Sequence, residues 1–166
     1  MIMPRGEQLL LPASPAFIWG SLLVALMLNL LPLGRVLWMP DFLAVVLVFW
    51  NVHQSRRVGI GAAFLFGLAM DVHDGAVLGQ HALAYTLLAF GGVALHRRLQ
   101  MFELRQQTTQ VLGIFAVTYG VYALVHWQVN GYVVWPYLLG CLTSTLMWAP
   151  LSIMFRAMRQ ARVERE

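Results

Sequence analysis

The sequence contains no lysine, and its eleven basic residues are all arginine. Charged residues make up 11% of the chain, against about a quarter in a soluble domain. That scarcity excludes an ordinary soluble fold. The arginines are scattered among the segments between apolar runs, so they form no nucleic-acid-binding patch and read as topology signals. There is one cysteine, Cys141, inside an apolar run, which excludes a disulfide framework or a Cys-rich metal site within the chain. No polar stretch is long enough for a second domain, so residues 1–166 are expected to form one polytopic membrane unit. A basic start followed by a small-residue cleavage site is also missing, and the first apolar run reads as a retained helix.

What is abundant is apolar: 60% of residues are hydrophobic, with mean hydropathy +0.69. The runs predict an all-α integral membrane protein with six spans, at about 17–33, 41–52, 58–70, 76–95, 109–127 and 133–155. The first follows a polar, proline-containing lead. Pro40 is expected near the first turn of span two, where its missing N–H costs nothing. Asp41 is expected in that turn, where the helix dipole favours a negative charge. Spans two and three fall short of the ~20 residues of a straight crossing. A re-entrant hairpin would bury Arg56 and Arg57 in hydrocarbon, so full crossings are expected. Pro150 should kink or end the last helix. The tail 156–166 carries Arg156, Arg159, Arg162 and Arg165 at every third position and reads as a basic helical stripe at the membrane surface. Six crossings place ten of the eleven arginines on one side, with only Arg35 opposite, which predicts cytoplasmic termini.

The chain is organised around Gly59–Tyr85. Gly59, Ala63, Gly67 and Asp71 recur at a spacing of four and share one helix face, which a neighbouring backbone can approach closely. A polar loop from Asp71 to Gly75 and a fourth span from Ala76 are expected next. Gly75 suits a turn and Gly79 close helix packing. Ala116 with Gly120, and Gly140 with Ser144, repeat the small-residue spacing; packing within the chain is the expected use.

Asp71, His73, Asp74 and His81 are the residue types of a metal site. Asp71 and Asp74 fall where the chain leaves the bilayer, however, and His81 meets them only if span four folds back, so no metal is expected. Thr143, Ser144 and Thr145 lie on one span, and His81 and His126 on two others. No nucleophile elbow, paired-carboxylate spacing or phosphate-cradling glycine loop is present, and Asp41 and Asp71 sit at opening and closing helix turns. No catalytic residue and no cofactor is expected. Asn29, Gln80, His81, Tyr85 and Asn130 are placed to line a cavity open to the far side, or to bond one helix to another.

One stretch resembles a known family. Pro40-Asp41, Phe49-Trp50, Arg57-Val58-Gly59-Ile60-Gly61, Phe64 through Asp71 and Gly75 through Tyr85 together are similar to the rod shape-determining protein MreD family. Chain size, six spans and the basic tail agree. The resemblance implies a non-catalytic inner-membrane scaffold of the bacterial cell-elongation complex, supporting peptidoglycan synthesis. Its implied partners are MreC, the RodA glycosyltransferase, a penicillin-binding transpeptidase and the MreB filament. It also implies a fold like the substrate-binding subunits of energy-coupling-factor transporters. On this reading Gly67, Asp71, Gly75 and Gly79 shape the corner between spans three and four, and Pro40 and Asp41 the start of span two. Arg57 lies at the cytoplasmic surface, and the tail arginines face anionic lipid or MreB. The alternative is a small-molecule-binding subunit of a transporter, with a far-side pocket around His81 and Tyr85.

Overall fold

The computed structural model describes residues 13–31, 39–132 and 135–163, with side chains as far as residue 158. Arg5, Arg35, Arg165 and the side chains of Arg159 and Arg162 lie outside the described residues, as do the edges of spans one and six at 32–33 and 133–134. Six helices and no strand are found among the described residues: α1 (Pro15–Leu30), α2 (Phe42–His53), α3 (Ile60–Asp74), α4 (Gln80–Met101), α5 (Leu104–Asn130) and α6 (Pro136–Val163).

The shortest regular element stands in the middle. Residues 43–52 of α2 are all buried, and the helix packs against α4, α1 and α6. Its sequence is apolar on every side, which suits only a helix enclosed by others. The one polar member of that run, Asn51, donates through Nδ2 to the Leu47 carbonyl at 2.8 Å, while its Oδ1 has no partner among the described residues. Around the arginine-bearing end of α2, Phe49 packs at a tilt against Phe155 at 4.9 Å, Phe17 meets Trp50 edge-on at 5.8 Å, and Trp50 donates through Nε1 to Ser21. These contacts tie α1, α2 and α6 together.

Outside the bundle the surface is oily. Val24, Leu65, Phe90, Leu138 and Leu146 are each at least 60% exposed, a larger apolar envelope than a soluble monomer presents. Helices α5 and α6 contain stretches, Leu104–Asn130 and Pro136–Met158, long and apolar enough to cross a membrane.

Several boundaries differ from expectation. Residues 71–74 are helical, because α3 continues until Gly75 adopts a left-handed conformation with φ 59°. The Gly75 and Ala76 N–H groups both return to the Asp71 carbonyl, closing the helix as a Schellman turn does. Helix α4 begins at Gln80 rather than Ala76, after Gly79 turns the chain at φ 104°. Asp41 is the N-cap of α2 and Pro40 precedes the cap, so neither lies in the first turn. Pro150 does not end α6, which runs on to Val163.

The small-residue faces also separate. Ala63 and Gly67 are buried against the bundle, as are Gly140 and Ser144. Gly59 caps α3 from outside the helix and has open space where a Cβ would stand, so it is not part of the packed face. Ala116 and Gly120 are exposed, with nothing near Gly120; the α5 face points outward. Replacing Gly120 with Ala should therefore raise stability by about 0.5–1 kcal/mol through the helix backbone alone, read as a higher unfolding temperature in detergent. A lower temperature would show that the face is packed after all.

Candidate functional site

At one end of the bundle α1, α3 and α5 finish and α2, α4 and α6 begin. Two aspartates organise that end. Arg56, Arg57, Arg97, Arg98 and Arg105 all fall at the opposite end, where α2 and α4 finish and α3 and α5 begin. There Arg57 donates to the Ala13 carbonyl at 3.3 Å, holding the start of α1 to the α2–α3 connection.

The first corner is built on Asp71, in the last turn of α3 and 1% exposed. Helix α4 starts with Gly79, which has no side chain to cap its own free N–H groups. Asp71 does this from the neighbouring helix. Its Oδ2 accepts from the Gly79 N–H at 2.8 Å and the Ala82 N–H at 3.3 Å; its Oδ1 accepts from the His81 N–H at 2.7 Å. His81 adds a fourth bond, from Nδ1 to Oδ1 at 3.0 Å. That bond makes Nδ1 the donor and leaves Nε2 facing Asp74 at 3.5 Å. A carboxylate at the positive end of a helix is favoured by the dipole as well as by the bonds. The geometry needs α3 and α4 to touch, and Gly67 permits it: a Cβ there would overlap the backbone of His81 and Ala82. Gly75 and Gly79 both have positive φ, so both turns are set by backbone conformation, where other residues are strained.

The second corner is built on Asp41. Its Oδ1 caps α2 through the Ala44 N–H at 2.9 Å and accepts from Asn29 Nδ2 at 2.7 Å; its Oδ2 accepts from the Tyr85 hydroxyl at 2.7 Å. The Asp41 N–H donates to Ser144 Oγ at 3.0 Å, and Ser144 bonds the Tyr119 hydroxyl at 2.9 Å. Asn29 in turn accepts at its Oδ1 from the Phe42 N–H. One short network thus joins α1, α2, α4, α5 and α6. The His81 ring, T-shaped to Tyr85 and 4.9 Å from Tyr122, connects it to the first corner.

Between the corners lies a cleft of about 670 Å³. Asn29, Asp41, Gln80, His81 and Asn130 line it, with aromatic walls from α5 and α6. Four of the five polar residues singled out for a cavity are therefore brought together; Tyr85 instead bonds Asp41 behind the wall. The fold-back of His81 onto Asp71 and Asp74, which the spacing argued against, does occur. It builds a helix cap rather than a ligand set: both Asp71 oxygens are taken by main-chain donors, and no metal-ligating cluster is found among the described residues. His73 is exposed and takes no part in those bonds. Ser144 is paired with Tyr119 and the Asp41 N–H, without a histidine. Sequence reasoning missed Asn29 and Ser144 as partners of Asp41, and nothing in their spacing marks them.

A family model described as rod shape-determining protein MreD matches residues 13–158. The Rod shape-determining protein MreD of Haemophilus influenzae (strain ATCC 51907 / DSM 11121 / KW20 / Rd) is 29% identical over 138 residues, covering 78% of this chain and 80% of that one. No solved structure matches the chain.

Proposed function

Since the chain belongs to the rod shape-determining protein MreD family, we propose that this membrane protein is a non-catalytic scaffold of the bacterial cell-elongation complex. It holds MreC beside the RodA glycosyltransferase and the penicillin-binding transpeptidase, supporting peptidoglycan synthesis, with the MreB filament at its arginine-bearing end. The observation that carries this reading is how the two buried-end carboxylates are used. Asp41 and Asp71 spend their oxygens on helix N–H groups and on neighbouring helices. Such groups fix a shape; a general acid or base needs a free position within reach of substrate.

All six helices cross the inner membrane on this reading, the short α2 being sheathed by its neighbours. The arginine-bearing end and both termini are cytoplasmic, where the tail arginines face anionic lipid or MreB, and the cleft opens to the far side. Pro40, Asp41, Gly67, Asp71, Gly75 and Gly79 keep the far end in register.

The cleft favours a second reading, a small-molecule-binding subunit with a fold like those of energy-coupling-factor transporters. Affinity purification from solubilised membranes separates the two. The scaffold is expected to bring down MreC together with the synthase; recovery of an ATPase-linked module without MreC would overturn it.

A further inference from the structure

The cleft between the two corners is large and unevenly equipped. Pockets for small molecules typically span ~300–1,000 Å³, and this one measures about 670 Å³. Its aromatic wall is continuous: Tyr119 meets Tyr122 at 5.4 Å, Tyr122 meets Tyr137 at 6.4 Å and His126 meets Tyr137 at 5.9 Å.

The polar equipment includes hydrogen-bond acceptors and negative charge. Tyr122 is 4% exposed, and its hydroxyl has no partner within hydrogen-bonding geometry. The adjacent Tyr85 hydroxyl donates its own hydrogen bond to Asp41. A buried hydroxyl without a partner costs stability, which a hydrogen-bonding ligand would recover. His126 donates through Nδ1 to the Tyr132 carbonyl at 3.1 Å, leaving Nε2 as an acceptor. Asn130 commits one amide N–H to the His126 carbonyl, leaving its side-chain oxygen and the second N–H. Asp41 and Asp74 supply negative charge, and no arginine is among the lining residues.

We infer that the cleft binds a small organic cation, with an N–H donor directed at Tyr122 and a planar body against the tyrosines. The tyrosine faces attract a cation and the carboxylates add to it; an anion meets no counter-charge. This goes beyond the scaffold reading and concerns the cleft alone, so dialysis can fail while the MreC pull-down succeeds, and the reverse.

The test is equilibrium dialysis of the full-length, detergent-purified protein against three indoles that differ in charge: tryptamine, tryptophol and indole-3-acetate. Tryptamine should bind saturably at one site, about tenfold more tightly than tryptophol, with indole-3-acetate weakest. Tyr122→Phe should weaken tryptamine about tenfold while leaving the unfolding temperature equal or higher, because the hydroxyl it removes has no partner within hydrogen-bonding geometry in the empty protein. Equal uptake of the three probes, preference for the anion, or absence of saturable binding would overturn the inference. So would unchanged binding in Tyr122→Phe, or a lowered unfolding temperature in that variant.

Discussion

Asp71→Ala is expected to lose most of its folded protein. Three main-chain N–H groups, those of Gly79, His81 and Ala82, would lose their only charged acceptor at once. Each abandoned donor costs about 1–3 kcal/mol, and more where no water reaches it. Against a total stability of about 5–15 kcal/mol, the sum is enough to unfold much of the population. Asp71→Asn should be milder. One carbonyl oxygen can still serve either the Gly79 and Ala82 pair or His81, while the amide nitrogen confronts the other. The order of membrane abundance is therefore wild type, then Asn, then Ala. Hydrogen exchange in detergent reads the cause directly, because the amides of Gly79, His81 and Ala82 should lose protection first. Retained protection in Asp71→Ala would show that the carboxylate does not cap α4.

Gly67→Leu is expected to be as damaging, for a steric reason. The obstruction at Gly67 is the backbone of His81 and Ala82, which cannot rotate aside as a flexible side chain can. Relief requires α3 to move off α4, and that movement takes Asp71 away from its donors. Overpacking alone costs about 1–3 kcal/mol, and loss of the cap adds to it. The two substitutions should also be non-additive, since Gly67→Leu already removes most of what Asp71→Ala removes. A double variant whose loss of unfolding temperature equals the sum of the singles would show the two residues to be independent. Gly91 is a milder case. A Cβ there would meet only the Ile114 side chain at 3.3 Å, which can give, so Gly91→Ala should fall well short of Gly67→Leu.

The first corner was partly legible because it is local: the shared face of Gly67 and Asp71 was expected, while the return of His81 onto Asp71 was not. Gly67, Asp71, Gly75 and Gly79 recur at a spacing of four, and the bonds from Asp71 span only 8–11 residues. What the spacing did not show is that Asp71 stays helical, because the stop belongs to Gly75 and depends on backbone conformation. The second corner was hidden. Asp41 finds Asn29, Tyr85 and Ser144 at separations of 12, 44 and 103 residues, and no periodicity carries information over such distances. Helix α2 was expected as a short full crossing, and its length did not show that its neighbours sheathe it. The pair Ala116 and Gly120 misled because small-residue spacing defines a face without saying which way it looks. Pro150 was expected to kink or end the last helix; it does not end it, and the chain stays helical to Val163.

Cell shape measured against membrane abundance, for a graded set of substitutions at Asp41, Gly67 and Asp71, tests the scaffold claim most directly. If these residues only hold helix ends together, rod shape should track the amount of folded protein along one curve, and raised expression should return a weakened variant to that curve. A variant present at wild-type abundance whose cells are nonetheless round would contradict the account, because its missing group would then be doing chemistry or binding rather than fastening.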